Sequence, residues 1–265
     1  FQTLPHVPVS IDVTTDKIIA GSIRKVSYFT KKGEFINEVR AKTLALKIKP
    51  CGDGFLGWSQ AKSKGVIYNT ICLYDAKLEK KQELFRMPDS FQGKGRGYKI
   101  LHSVFAYHYL DGKVFIPGKD DASIDILGKD LKKIHTITLD QEKKKVDAAF
   151  KKKMITELKT NPETKNIFPM LQPIQFPDTF PVISDFFVDD FNGGIIYVKS
   201  WKREKGTNEF FTYDLNGKFL KRVLIPIKNE TDLSAYPTTV KNGTLYQLVE
   251  NDKEEWEFHA SKISK

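Results

Sequence analysis

Four stretches of the chain repeat one order of apolar and polar positions. "YFTKKGEFINEV", "LYDAKLEKKQEL", "DILGKDLKKIHT" and "TYDLNGKFLKRV" place Phe29, Tyr74, Ile126 and Tyr213 at the same point ahead of a short polar turn. Each reads as strand, turn, strand. The turns "KKG" and "LNG" end in Gly33 and Gly217, where a tight hairpin calls for positive φ, and apolar residues resume with Phe35 and Phe219. The third copy is one residue shorter and the second lacks the Gly, so the match is one of pattern.

A second element recurs upstream: "TDKIIAGS", "GDGFLGWS", "DGKVFIPG", "NGGIIYVKS" and "NGTLYQLVE". In each, a turn of Asp, Asn or Gly feeds a short apolar run, as in a strand buried on both faces. A third set of short apolar stretches precedes these: "PVSIDV", "TLALKIK", "SVFAYHY", "VISDFFV" and "AYPTTV". The unit is therefore four antiparallel strands in about 40 to 50 residues, the size of a β-propeller blade. Such sheets must stack, and radial stacking covers every face while leaving only short edges. The expected fold is all-β: a single propeller domain over 1–265, with five units visible. The last unit ends at "WEFHASKISK" without a fourth strand, and residues 1 to 8 are expected to supply it, Pro5 and Pro8 being tolerable on an outermost strand.

The period breaks once. "DQEKKKVDAAFKKKMITELKTNPETK" spaces Val146, Phe150, Met154 and Leu158 by four, with Ile155 beside them, which predicts an amphipathic helix over 141–159 inside a helical and Pro-rich insertion, 140–181. Between Asp140 and Thr160 there are seven Lys against four acidic residues, so its exposed face is basic. The bland reading packs the stripe on the propeller; the sharper one makes this segment a lid, or a peripheral contact for an anionic partner or surface. Four prolines from Pro169 to Pro181 impose an extended return to the sheet.

The repeat and its "YDLNGKFLKRV" hairpin resemble the six-bladed β-propellers of the NHL and TolB-like kind, in particular a group of secreted or lipid-anchored bacterial propellers of unassigned function. "FPDTFPVISDFFVDDFNGGIIYVKSWKREKGTNEFFTYDLNGKFLKRV" and "NGTLYQLVENDKEEWEFHASKI" are similar to the C-terminal half of that group. A blade-linking loop of the group reads Gly-x-Gly-Pro-Gly-Glu-Phe-Gln, and this chain opens on Phe1-Gln2. The resemblance implies a sixth blade upstream of Phe1 and a secreted, periplasmic or lipid-anchored outer-surface location. Gly93, Gly95 and Gly97 fall where a blade linker is expected, without the Pro and Glu of that loop; no helix pattern follows them to receive a phosphate.

Charge narrows the partners. The chain of 265 residues carries 43 Lys and Arg against 33 Asp and Glu, a formal +10, but the lysines are spread along it and the aromatics follow strand periodicity. That argues against a nucleic-acid groove. Cys51 and Cys72 cannot alone make a zinc site, and two strand spacings would hold them about 9 to 10 Å apart, beyond disulfide reach. They are expected free and buried.

Propellers present function at the axis, where the first strands of the blades converge. The polar residues there are Ser10 and Asp12, Lys47 and Lys49, His102, Ser103 and His108, Ser184 and Asp185, and Thr238 and Thr239. Of these, Asp12, Lys47, His102, Ser184, Asp185 and Thr238 are the candidate ligand-binding residues. No residue is assigned a catalytic or metal-ligating role. His102 and His108, six apart on one strand, would stand about 20 Å from each other, too far for one metal. Asp12 and Asp185 could lean on an axial Ca²⁺, but no inner Glu or Asn joins them, so no cofactor is expected. Asp189-Asp190 ahead of a Gly-rich turn reads as turn chemistry before a catalytic dyad. The expected function is a non-enzymatic module binding a protein, peptide or glycan at the propeller mouth; the alternative is a metal-assisted, lactonase-like hydrolase or lyase with its site at the axis.

Overall fold

The computed structural model describes residues 10–263, apart from 15, 94, 102–103, 163, 205 and 231–234. The fold is all-β and of propeller type, built of antiparallel blades with one α-helix. It divides into two compact units, Phe1–Gly93 and Lys94–Lys265.

The first unit holds two blades. One is β1 (Ser10–Val13), β2 (Lys17–Ser22), β3 (Lys25–Thr30) and β4 (Phe35–Arg40); the next is β5 (Leu46–Cys51), β6 (Gly54–Ser63), β7 (Val66–Tyr74) and β8 (Lys80–Pro88). In both, the strands pair in chain order. Ile19 and Val26 of the first blade pack with Ile48, Phe55, Cys72 and Tyr74 of the second in one buried cluster. Both cysteines are free and buried, as expected, and burial raises the Cys51 thiol to about 11.

In the second unit, β9 (Tyr98–Lys99) precedes the blade β10 (His108–Leu110), β11 (Lys113–Pro117), β12 (Ser123–Leu127) and β13 (Lys133–Thr138). Helix α1 (Ala148–Thr160) and β14 (Ile174–Gln175) follow; β14 pairs in parallel with β9. The fourth blade is β15 (Asp185–Asp189), β16 (Ile195–Glu204), β17 (Thr207–Asp214) and β18 (Phe219–Ile225). The last is β19 (Thr238–Lys241), β20 (Thr244–Glu250) and β21 (Trp256–Lys262).

Alternation on the middle strands shows why these sheets stack. On β16, Ile196 and Val198 face a cluster with Phe115, Ile124 and Ile126 of the preceding blade, while Tyr197 between them joins Val240 and Leu245 of the following one. On β17, Phe211 and Tyr213 go one way and Phe210 the other. Each strand thus buries side chains on both faces, and each large apolar side chain so buried stabilises the stack by about 1.5–3 kcal/mol.

Every repeat read in the sequence is a hairpin here, and Gly33 and Gly217 hold φ of 87° and 85° at their turns. The described residues form five blades and not six; the sixth implied by the resemblance has no counterpart among them. The last sheet has three strands, and the expected fourth, residues 1 to 8, lies outside the described residues.

The helix is shorter than the stripe suggested. Asp147 caps α1, its side chain accepting from the Phe150 amide at 2.7 Å, and the residues before it run extended: Val146 N–H donates to Asp178, and Phe180 N–H to Lys144. Val146 is buried through that pairing, not through the helix, and Met154 is the buried residue of α1. The basic face is partly engaged, with the ammoniums of Lys144, Lys151 and Lys159 over the rings of Phe180, Phe176 and Phe168 at 5.3, 5.9 and 5.4 Å.

Candidate functional site

A cavity of about 360 Å³ lies in the second unit, at the small end of the roughly 300–1,000 Å³ typical of ligand sites. Two expected site residues, Ser184 and Asp185, line it. Opposite Asp185 in the ladder is Lys199 of β16, and Trp201 and Arg203 follow it at alternate positions into the same cavity. The β16–β17 register shifts between Lys199 and Arg203, a bulge of the kind that re-aims side chains beside sites. Tyr98, Lys99 and Phe105 come from the segment entering the third blade, and Leu158 from α1. Leu101, also on the wall, holds a left-handed φ of 63°, a conformation that costs a non-glycine residue about 1–2 kcal/mol.

Among the described lining residues the charged side chains are Lys99, Asp185, Lys199 and Arg203. Burial pushes the Lys199 ammonium below its ordinary value; Asp185 opposes that shift and Arg203 adds to it. Asp185 spends one oxygen on its neighbour, accepting from the Phe186 amide at 2.8 Å, and the Ser184 hydroxyl donates to the Ser200 carbonyl at 3.2 Å. The indole Nε1 of Trp201 is buried and has no hydrogen-bond partner. Its ring is held from behind by an aromatic chain, Phe150 to Phe180 at 4.9 Å and Phe180 to Trp201 at 5.1 Å, so the helix fixes one wall of the cavity.

The other expected residues go elsewhere. Asp12 and Lys47 belong to the first unit. Burial raises the Asp12 carboxyl above its ordinary range against the pull of Lys49, and Lys47 sits at a bulge of β5 with φ of 48°. Thr238 is spent inside the last blade, donating to the Tyr236 carbonyl and accepting from Gln247 at 2.9 Å. His102 lies outside the described residues. β10 begins only at His108, so the strand expected to carry both histidines does not extend back toward His102. His108 is a joint between blades: its Nε2 is 3.0 Å from the Phe186 carbonyl and its ring 5.2 Å from that of Phe186. Among the described residues no three His, Cys, Asp or Glu side chains gather as a metal site.

Asp189 and Asp190 both reach across to the β19–β20 turn. Asp189, 1% exposed, accepts from the amides of Asn242 and Gly243 at 2.8 and 2.7 Å, and Asp190 pairs with Lys241, so both tie the fourth blade to the β19–β20 turn. The buried carboxylate also helps hold the nearby Tyr197 hydroxyl at about 12, after the larger effect of burial itself.

Sequence reasoning found Ser184 and Asp185 and missed Lys199, Trp201 and Arg203. It read their strand as structural up to Ser200 and looked for polar residues on first strands alone. The signal was Lys-x-Trp-x-Arg at period two, the spacing that puts all three on one face.

No family model and no curated protein sequence matches this chain. Its strand arrangement is similar to solved structures. One is a protein of unknown function from Bacteroides caccae, at 11% identity over 96% of this chain and 74% of that one, with a TM-score of 0.43. A candidate exported protein from Bacteroides fragilis shares 13% identity over 92% of this chain and 66% of its own, with a TM-score of 0.48. BamB from Moraxella catarrhalis shares 13% over 91% and 54%, with a TM-score of 0.37. The chain thus spans just under two thirds of the second and about half of the third. Nothing in the functional reading rests on these likenesses.

Proposed function

We propose that this chain is a non-enzymatic binding module whose site is the cavity on the fourth blade, with a protein, peptide or glycan as the source of the ligand. The observation that supports it is a walled, charged cavity that joins Ser184, Asp185, Lys199, Trp201 and Arg203 and, among the described residues, brings together neither a nucleophile–base pair nor a cluster of carboxylates. A Ca²⁺-dependent hydrolase needs several oxygen ligands converging on the ion, and the described residues of this cavity offer one carboxylate. The NHL/TolB-like assignment and a secreted, periplasmic or lipid-anchored location rest on the sequence resemblance alone. Peripheral contact with an anionic surface through 141–159 would fall to Lys152 and its neighbours, since Lys144, Lys151 and Lys159 lie over rings.

The test is a ligand-observed NMR screen of peptides, neutral sugars and acidic sugars, run beside metal analysis of the dialysed protein. Ala235 also lines the cavity, so Ala235→Trp provides a blocked control. Binding without turnover that disappears in Ala235→Trp is expected. Stoichiometric Ca²⁺ or Zn²⁺ together with turnover of a bound ligand would replace this reading with the hydrolase.

A further inference from the structure

Two turns of the second unit, β15–β16 and β19–β20, carry an Asn-Gly pair on nearly the same backbone and differ in what holds the glycine amide. We propose that Asn192 is a site of spontaneous deamidation, converting to aspartyl and isoaspartyl forms, and that the Asp189 carboxylate withholds Asn242 from the same reaction. This is independent of the cavity and of the binding reading.

The reaction turns on one nucleophile. Once hydroxide has taken its proton, the backbone nitrogen that follows an asparagine attacks the side-chain Cγ. The new N–C bond closes a succinimide, the Cγ–Nδ2 bond breaks and Nδ2 leaves as ammonia. Water then opens either carbonyl of the ring to give aspartate or its isoaspartyl isomer, so water is taken up and ammonia released mole for mole. Glycine hinders the attack least because it has no Cβ. Backbone conformation enters too, and here it is matched: Asn192 and Gly193 hold φ of 50° and 85°, Asn242 and Gly243 φ of 51° and 64°.

The surroundings are not matched. Gly243 is buried, its amide donates to Asp189 Oδ2 at 2.7 Å, and the ring of Phe191 occupies the side on which a Cβ would stand. A hydrogen bond to an ionised acceptor is stronger than a neutral one, and a nitrogen stripped of this proton would leave a second negative charge against the carboxylate. Both effects oppose the step that creates the nucleophile. Asn192 and Gly193 are exposed, open space surrounds the Gly193 α-carbon, and among the described residues no side chain accepts from the Gly193 amide. The remaining Asn-Gly pair, Asn216-Gly217, stands outside this comparison: Asn216 lacks the left-handed φ, and its Oδ1 accepts from Lys113 at 2.9 Å.

The experiment holds the full chain at mildly alkaline pH and samples it over weeks. Peptide mapping by mass spectrometry scores each asparagine for exchange of amide for acid, and an isoaspartyl methyltransferase labels the isoaspartyl product. In the folded chain Asn192 should convert at least about tenfold faster than Asn242, whereas in guanidinium chloride the two should agree within about twofold, because only structure separates them. Asp189→Asn, which keeps an acceptor and removes its charge, should speed Asn242 and leave Asn192 unchanged. Should that variant fail to fold, hydrogen exchange of the parent makes the same comparison: the Gly243 amide should exchange far more slowly than that of Gly193. Equal conversion of Asn192 and Asn242 in the folded parent overturns the inference. So does a folded Asp189→Asn variant in which Asn242 remains as slow as before, or an Asn192 that stays intact over the period in which the unfolded chain converts.

Discussion

Each compact unit carries an aspartate on the first strand of a blade with a lysine nearby, and the two pairs divide the cost of burial in opposite ways. In the first unit the carboxylate bears it: Asp12 is raised by desolvation, and Lys49 only partly restores it. In the second the ammonium bears it: Lys199 is lowered by desolvation, with Asp185 restoring and Arg203 lowering it further. The same two residue types therefore burden the carboxyl in one blade and the ammonium in the other. What separates them is the third charge, Arg203, and the cavity that Lys199 and Asp185 line. A pair of opposite charges on a propeller's first strands says little about function until its surroundings are known.

The comparison can be broken most directly by neutralising each aspartate. Asp185→Asn leaves Lys199 against Arg203 and should cost about 2 kcal/mol, below the roughly 3–5 kcal/mol of a fully buried pair because these groups retain some solvent contact. Asp12→Asn removes the group that resists burial and should change stability by no more than about 0.5 kcal/mol at pH 7. Denaturant midpoints of the two variants measure this, and equal losses would mean that the pairs are equivalent.

The pH dependence sharpens the contrast. The folded value of Asp12 lies above 3.8, so the stability it contributes is fully present below pH 3.8 and is lost as pH rises through the folded value. Lys199 lies below 10.5 when folded, so the unfolded chain holds the proton longer, and stability increases as pH rises through the folded value toward 10.5. Melting temperature followed against pH should lose its acid-side slope in Asp12→Asn and its alkaline-side slope in Lys199→Met, each without affecting the other.

The smallest effect is expected at Trp201. Trp201→Phe removes an unsatisfied donor and part of a ring held by Phe180, contributions of opposite sign, so stability should move by less than about 1 kcal/mol. A loss well above that in thermal or chemical unfolding would show the indole to be a packing element first.

The blades were legible because their signals are local. Gly33 and Gly217 mark turns by their backbone freedom, and the run from Ile195 to Val198 betrays a strand covered on both sides. The helix was legible as a stripe but not in its first turn, because Val146 is buried by pairing with Asp178, a contact 32 positions away that no periodicity encodes. The cavity was half legible for a related reason. Ser184 and Asp185 sit where first strands end, whereas Lys199, Trp201 and Arg203 reach the cavity at a bulge, and a bulge leaves no mark in composition. Asp189 was misread because its partners are main-chain amides of another blade.

That last contact has a consequence for how the chain can vary. The carboxylate at 189 grips amides, which every residue but proline supplies, so positions 242 and 243 need only a backbone able to turn left-handed, at φ of 51° and 64°. The joint is chemically strict on one side and permissive on the other. Related chains should hold the acid while the opposing pair drifts among asparagine, aspartate and glycine, leaving the seam between two sheets intact although half of it no longer looks alike.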